Sequence, residues 1–506
     1  MTGSADLILR NAAVHTLDEP GVVEAIAIRD GRVVKVGTNR SVTLLQGIDT
    51  EVLDCEERPV LPGFIDAHTH LRSTGRYLVH ADLSGAENRD EIIERLDTIR
   101  AEHGGWRVGI GYDESTWSDG TLLTRDDLDA VSDTEPVAAF RVDMHTASLN
   151  SAALEQVGAD LPPEYVEIED GQPTGVIYED ALGVVRSAIG GEELTRKLLE
   201  VAQEHALSLG VTCIHDMVRG SSVPRAYREL ELDRELRLRV RLNYWRNHLE
   251  AVRELGLRTN HGSDRLTVGA IKSFSDGSFG GRTAKVSEPY EDGNGDGTWV
   301  VQPEALHQLV DDVESAGYQV TIHAIGDVAI DETLTAIERA SDPANARHRI
   351  EHVELATDGH IERIASAGII ASMQPNFHQW AEPGGLYESR LGERFKRTNR
   401  FRDLVDAGVR LAFGSDSMPM GPLYGIHCAV NAPNDCQRLT VDEAIEAYTI
   451  GGAYAGFDED RLGRLGQGYV GDCVVLDRSP WDDPWHIEDI EVTHTIVGGE
   501  LVYERE

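Results

Sequence analysis

Leu61-Pro-Gly-Phe-Ile-Asp-Ala-His-Thr-His70 decides how this chain is read. A Pro-Gly turn opens it, Leu61, Phe64 and Ile65 can anchor it in a core, and two histidines stand two residues apart at its end. In a strand the side chains alternate, so His68 and His70 leave the same face. Two neutral imidazoles projecting together from a fixed strand end are half of a site for a borderline metal such as Zn²⁺. A pair of histidines in a surface loop is the bland alternative. The remaining sequence argues against it, because further ligands follow in order.

Working outward, apolar strand-like runs recur at 61–68, 211–215, 238–244, 266–273, 318–323, 349–353, 368–373 and 409–415. Amphipathic helical patterns fall between several of them, at 192–208, 302–316, 327–339 and 357–367. Eight strands alternating with helices predict an α/β fold, a (β/α)8 TIM-like barrel. Residues 6–60 and the C-terminal stretch instead show short strands with hairpin turns at Asp30-Gly31 and Gly498-Gly499. Neither end can bury a face alone, so both ends are expected to meet in one small β-sandwich. The expected division is 1–60 for the N-terminal part of the sandwich, 61–455 for the barrel, and 456–506 for the C-terminal part. Strand-like runs near 106–111 and 137–142 exceed the barrel's eight. They place an inserted subdomain at about 72–200, after the first strand, where it would emerge on the catalytic face.

Each chemistry-bearing residue sits at the end of a predicted barrel strand. Lys272 follows Leu266-Thr-Val-Gly-Ala-Ile, His323 ends Tyr318-Gln-Val-Thr-Ile, His352 ends Arg349-Ile-Glu, and Asp416 closes Val409-Arg-Leu-Ala-Phe-Gly-Ser. Barrel strand ends converge on one mouth, so residues some 350 positions apart can share a site. A charged lysine is costly to bury beside metal ions. This chain has only five lysines, so one kept at a strand end points to a chemical task. Carboxylation of its amine by CO₂ would remove the conflict and give a bridge between two metals. A Schiff-base lysine and a buried ion pair are the alternatives.

With these residues in place, the chain resembles the amidohydrolase superfamily, in its family 3 branch, which includes N-substituted formamide deformylase-like and exoenzyme regulatory protein-like members. The matching stretches are Pro62–His70, Lys272-Ser-Phe-Ser-Asp-Gly277, His323-Ala-Ile-Gly-Asp327, Arg349-Ile-Glu-His352 and Gly414-Ser-Asp-Ser417. The resemblance implies that His68, His70 and Asp416 hold one divalent metal ion and that His323 and His352 hold a second. N6-carboxylysine at Lys272 would bridge them, with Zn the expected metal. It implies hydrolysis of a carbon–nitrogen bond, a non-peptide amide or an N-acyl or N-formyl group, by attack of a metal-bridging hydroxide, with Asp416 as the catalytic proton carrier. A mononuclear deaminase of a heterocyclic substrate is the alternative within the superfamily. A catalytically inactive regulatory or binding protein on the same fold is the alternative of another class.

Other candidates for substrate contact are His145, His215, Asp276 and Arg282, with Gly277 and Ser278 shaping the same loop. Tyr112, Trp117, Phe377, His378 and Trp380 are candidates for a pocket wall. Asp292-Gly-Asn-Gly-Asp-Gly297 opens like a calcium loop, but Pro303 stands where the closing acidic residue belongs, and a plain acidic turn is the better reading.

Composition narrows the partners. With 47 basic and 88 acidic residues the net charge is −41, which disfavours nucleic acid. An acidic, lysine-poor surface suits molar salt, where the Debye length is about 3 Å and self-repulsion is screened. A cytoplasmic protein of a halophilic archaeon or bacterium is therefore expected. The five cysteines are scattered, with no CxxC pair, and form no disulfide framework. The first residues lack a signal peptide's basic and apolar regions, and no uncharged run reaches membrane-spanning length. A small-molecule substrate, no membrane partner and a C₂ homodimer are expected.

Overall fold

A computed structural model describes residues 3–99, 105–142, 145–190, 192–293 and 295–505. The chain forms two compact units, one holding the residues up to His70 together with those from Gln203 onward, the other Leu71–Ala202.

In the first unit eight parallel strands follow one another around a sheet: β1 (Phe64–Thr69), β2 (Val211–Val218), β3 (Arg239–Trp245), β4 (Leu266–Phe274), β5 (Val320–Ala324), β6 (Arg349–His352), β7 (Ile370–Met373) and β8 (Leu411–Phe413). Each pairs with its neighbour in chain order, which confirms the expected barrel. The sheet comes back on itself where the residues after β8 meet β1, and the Asp416 amide donates to the His68 carbonyl at 2.8 Å. Gly414 makes that approach, since a Cβ there would lie 2.4 Å from the His68 nitrogen.

The helices between strands carry their apolar residues at helical spacing. Pro303–Ser315 buries Leu306, Val310 and Val313, and Asp327–Ile337 buries Ile330, Leu334 and Ile337. These pack with Ile322 of β5 and Ile350 of β6 in one core, each large aliphatic contributing about 1.5–3 kcal/mol of transfer free energy. The outward residues of the strands make this core. The inward ones are free to be polar, and Lys272, Arg349 and Glu351 are all buried.

The two chain ends meet as expected. One sheet joins Arg32–Gly37, Ala25–Arg29, Leu7–Arg10 and Glu51–Asp54. In the other, Cys473–Leu476 pairs antiparallel with Pro59–Pro62. Leu7, Leu9, Ile26, Ile28, Val60, Val475 and Ile496 fill one core between these sheets. The opening stretch is thereby divided: Leu61 and Pro62 belong to the sandwich, and β1 begins only at Phe64. Gly63 forms the joint, donating its amide to the Asp472 carbonyl at 3.0 Å.

The second unit is a six-stranded sheet in the order Val166–Glu169, Gln172–Tyr178, Thr146–Leu149, Val137–Arg141, Arg107–Tyr112 and Ala81–Asp82. Alternation along Val137–Arg141 sends Ala138 and Phe140 into one apolar cluster and Val137 and Ala139 into another, so both faces are covered. Among the described residues no helix is long and apolar enough to cross a membrane.

Candidate metal centre

β1 delivers Asp66, His68 and, just past its end, His70 at two-residue spacing, as the pleat requires. Asp66 is buried and braces the closure, accepting from the His68 amide at 3.1 Å, the Ser415 amide at 3.0 Å and the Ser415 hydroxyl at 2.5 Å. Burial pushes its carboxyl up to about 7 against these hydrogen bonds. Beyond β8, Asp416 and Ser417 take left-handed backbone angles, φ 53° and 61°. Non-glycine residues rarely hold this conformation, and it recurs at functional sites. It brings Asp416 Oδ1 to 3.2 Å from His70 Nε2 and 3.5 Å from His68 Nε2. Ligand atoms of His68, His70 and Asp416 all lie within 4.8 Å of one another, the one such three-residue cluster of metal-binding side chains found among the described residues. Burial opposes ionisation of Asp416, but His68 and His70 hold its carboxyl well below the usual range.

His323 and His352, ending β5 and β6, stand beside this cluster. Their ring centroids are 4.4 Å apart, and His352 is 5.0 Å from His68. Each buried imidazole has one ring nitrogen committed to an acceptor. His68 Nδ1 meets Glu351 Oε2 at 2.5 Å, His352 Nδ1 meets Gln374 Oε1 at 2.6 Å, and His323 Nε2 meets the Gly277 carbonyl at 2.8 Å. These contacts assign the N–H to the committed nitrogen and leave the other as a lone-pair donor, the arrangement that orients metal-bound histidines. Burial, then Lys272, holds His68 down to about 4 and His323 down to about 3; burial and His323 hold His352 well below its ordinary value.

Lys272 on β4 is fully buried, and among the described residues its Nζ has no hydrogen-bond partner. It lies 4.8 Å over the Phe274 ring. Burial pulls its amine down to about 8, although Glu351 and Asp416 oppose this. A buried, unbonded amine among neutral imidazoles and a carboxylate fits a centre that supplies the missing partner. The donor set is that of a borderline divalent metal.

In the sequence Glu351 and Arg349 stand out only as members of the Arg349-Ile-Glu-His352 motif. Both face inward from β6, two residues apart. Arg349 Nε donates to Glu351 Oε1 at 2.9 Å, and the Thr321 hydroxyl donates to the same oxygen. Burial opposes the charge on Glu351, but Arg349 and His68 keep it ionised. Arg349 also donates to the Ala67 carbonyl at 2.6 Å, Ser372 Oγ at 2.9 Å and His215 Nδ1 at 2.9 Å. His215 is thereby tied to Arg349, on the far side of Glu351 from His68. The available signal was charge at period two in a strand that should be apolar on both faces.

The other candidates are placed as follows. Asp276 is buried and accepts from the backbone amides of Lys285, Ile325 and Gly326 at 2.8, 3.1 and 2.9 Å, which fixes the loops after β4 and β5. Arg282 is paired with Asp292, at 3.1 and 2.9 Å. Asp292 also meets Arg390, and Asp296 meets Lys285 at 2.9 Å, so the acidic turn spends its carboxylates on cations of the protein. His145 is exposed and 3.0 Å from Glu179 within the second unit; Asp143 and Met144 beside it lie outside the described residues. Tyr112 and Trp117 are core residues of that unit. Phe377 and Trp380 line a cavity of about 260 Å³ that also reaches His323, His352 and Asp416, whereas His378 packs on Phe401.

The amidohydrolase family model matches residues 51–503. The chain belongs to the amidohydrolase family. It is 31% identical to YtcJ of Bacillus subtilis over 97% of both chains. It is 29% identical to the N-substituted formamide deformylase of Arthrobacter pascens, over 100% of this chain and 99% of that one. Among solved structures, a metal-dependent hydrolase from Pyrococcus furiosus superposes with a TM-score of 0.80 at 31% identity, over 94% of this chain and 99% of that one. This amidohydrolase is thus a metal-dependent enzyme acting on carbon–nitrogen bonds other than peptide bonds.

Proposed function

We propose that this amidohydrolase cleaves a non-peptide amide, of the N-acyl or N-formyl kind, at a centre for two divalent ions. His68, His70 and Asp416 would hold one, His323 and His352 the other, with Lys272 carboxylated between them. The observation that carries this reading is the Nζ of Lys272, which among the described residues has no hydrogen-bond partner and is buried where its charge acts on His68, His323 and His352. Its depressed basicity favours the neutral amine, which adds to CO₂ with loss of a proton and gives an anion in place of a cation. When bound, Zn²⁺-like ions at these residues would acidify water and polarise the substrate carbonyl.

The protein's own groups do the rest. Glu351 and Gln374 hold His68 and His352 in the donor tautomer. Asp416, kept ionised by its histidine neighbours, accepts the proton of the attacking water and hands it to the leaving nitrogen. The kinship with a formamide deformylase supports the N-formyl choice.

One observation favours a second reading. Only the His68, His70 and Asp416 cluster brings three ligand residues together among the described residues, which suits a one-ion deaminase. Metal analysis of purified protein separates the two. Two ions per chain, release of an amine from N-formyl or N-acyl amides, and a loss of about 10²–10⁴ in kcat for Asp416→Asn support the proposal. One ion per chain with ammonia release from aminated heterocycles supports the deaminase. The acidic, lysine-poor composition supports a cytoplasmic protein of a salt-loving microbe, and a C₂ homodimer is the assembly we propose.

A further inference from the structure

β2 ends at Val218, and Arg219 follows it directly, at the end of the barrel where the proposed metal ligands stand. Its side chain is exposed. The chain carries 88 acidic residues against 47 basic ones, yet among the described residues the Arg219 guanidinium forms no hydrogen bond and no ion pair. It rests instead on ring faces, with Cζ 4.3 Å from the centroid of Trp245 and 5.6 Å from that of Phe274. Contact with a ring face holds a cation in place and uses none of its N–H groups.

The same rings lead to the metal centre. Trp245 on β3 is the register partner of Lys272 on β4, and Phe274, two residues on, is the partner of His323 on β5. Ring centroids are 4.9 Å apart between Trp245 and Phe274 and 4.4 Å apart between Phe274 and His323. The charge of Arg219 acts on Lys272, and that of Asp416 acts on Arg219. The strands follow one another around the barrel in chain order, so Arg219 and Trp245 stand across the mouth from the residues after β6, β7 and β8. That opposite side carries the cavity of about 260 Å³, whose wall is largely apolar and includes Phe377, Trp380 and Met418. A planar guanidinium with unspent N–H groups matches a carboxylate through two parallel hydrogen bonds.

We infer that Arg219 is a substrate-binding residue that takes a carboxylate, and that the substrate is an amide with one arm in the apolar cavity and a carboxylate on the other. Trp245 is a positioning residue that holds the guanidinium toward the mouth. This rests on the proposed amide hydrolysis, to which it adds the charge class of the substrate.

Turnover and binding test the two readings separately, on the full-length metal-loaded protein. N-benzoyl-β-alanine and N-benzoyl-γ-aminobutyrate put the carboxylate on the amine side of the scissile bond, and N-benzylsuccinamate puts it on the acyl side. Each is compared with its primary carboxamide, which differs in charge and hardly in shape, by release of the amine from the substituted amide bond. The expected result is a kcat/KM about tenfold or more higher for the acid in at least one pair, carried by KM, the worth of a charge-assisted hydrogen bond. Arg219→Gln closes this gap, Arg219→Lys keeps part of it, and Trp245→Ala narrows it. No preference for any acid, or a preference that survives in Arg219→Gln, overturns the inference. So does an Arg219→Gln variant that loses acid and carboxamide turnover alike, since an arginine that only packs on Trp245 acts on both equally. Should Arg219→Gln not fold, the wild-type preference and Arg219→Lys decide. If no amide is cleaved, calorimetry with the same pairs decides: acids bound more tightly than carboxamides in the wild type, and not in Arg219→Gln, sustain the carboxylate site while the amide reading falls.

Discussion

Glu351 shows what a single residue contributes to this centre. It does not line the cavity beside His323, His352 and Asp416, yet it fixes the tautomer of His68 at 2.5 Å and is itself held by Arg349 at 2.9 Å. Replacing it with Gln keeps the shape, removes the charge and leaves Arg349 buried against a neutral group. Metal affinity should fall by about 10–100-fold, the usual cost of losing the partner of a metal-bound histidine. Equilibrium dialysis of Glu351→Gln against buffered zinc checks this, and unchanged affinity would remove Glu351 from the centre. The proposed ligands were legible in sequence because each ends a strand-like run. Their partners were not. Gln374 and the Gly277 carbonyl reach His352 and His323 from other loops, and no spacing rule announces such contacts. Arg282 and Asp276 looked like substrate contacts because they follow Lys272 closely. Their partners, Asp292 and three backbone amides, are visible only in the folded loop.

At the scale of elements, all eight barrel strands stand where apolar runs and intervening amphipathic helices predicted them. Strand length was less legible. β2 runs three residues beyond the predicted 211–215, through Asp216, Met217 and Val218. A charged residue at the end of an apolar run looks like a strand end from sequence, but Asp216 is buried and bonded at 2.8 Å to Tyr227 on the following helix. β1 starts late because Leu61 and Pro62 are claimed by the strand Cys473–Leu476, a pairing across some 410 residues that no local pattern encodes. Closure between β8 and β1 depends on Gly414. Ala at this position puts a methyl against the His68 backbone and should destabilise the fold by about 1–3 kcal/mol or more, the cost of overpacking. It should also weaken metal binding, since Asp416 is two residues away. Denaturant unfolding of Gly414→Ala measures this, and wild-type stability would show that closure does not need the glycine.

At the scale of the whole molecule, charge and buried histidines set the response to conditions. Burial holds His348 and His378 down to about 4, below the ordinary 6.5, and neither belongs to the metal centre. Between these values the unfolded chain binds protons that the folded chain does not. Stability from these groups is therefore complete above about pH 6.5 and is lost as pH falls toward 4, by up to about 1.4 kcal/mol per unit for each. Thermal unfolding across pH 4–8 should show this fall, and His348→Gln should flatten it. A pH-independent Tm would contradict the assignment. The net charge of −41 adds a salt dependence: self-repulsion should lower stability in dilute buffer and be relieved in molar KCl. Full stability at low ionic strength would count against salt adaptation.

We propose that His68, His70, Lys272, His323, His352 and Asp416 form one metal-dependent centre for amide hydrolysis. Titrating zinc into metal-stripped protein, while following amine release from N-formyl and N-acyl amides, tests it most directly. The expected result is no turnover without metal and activity that rises until two equivalents are bound. Full turnover in the metal-free protein would contradict it.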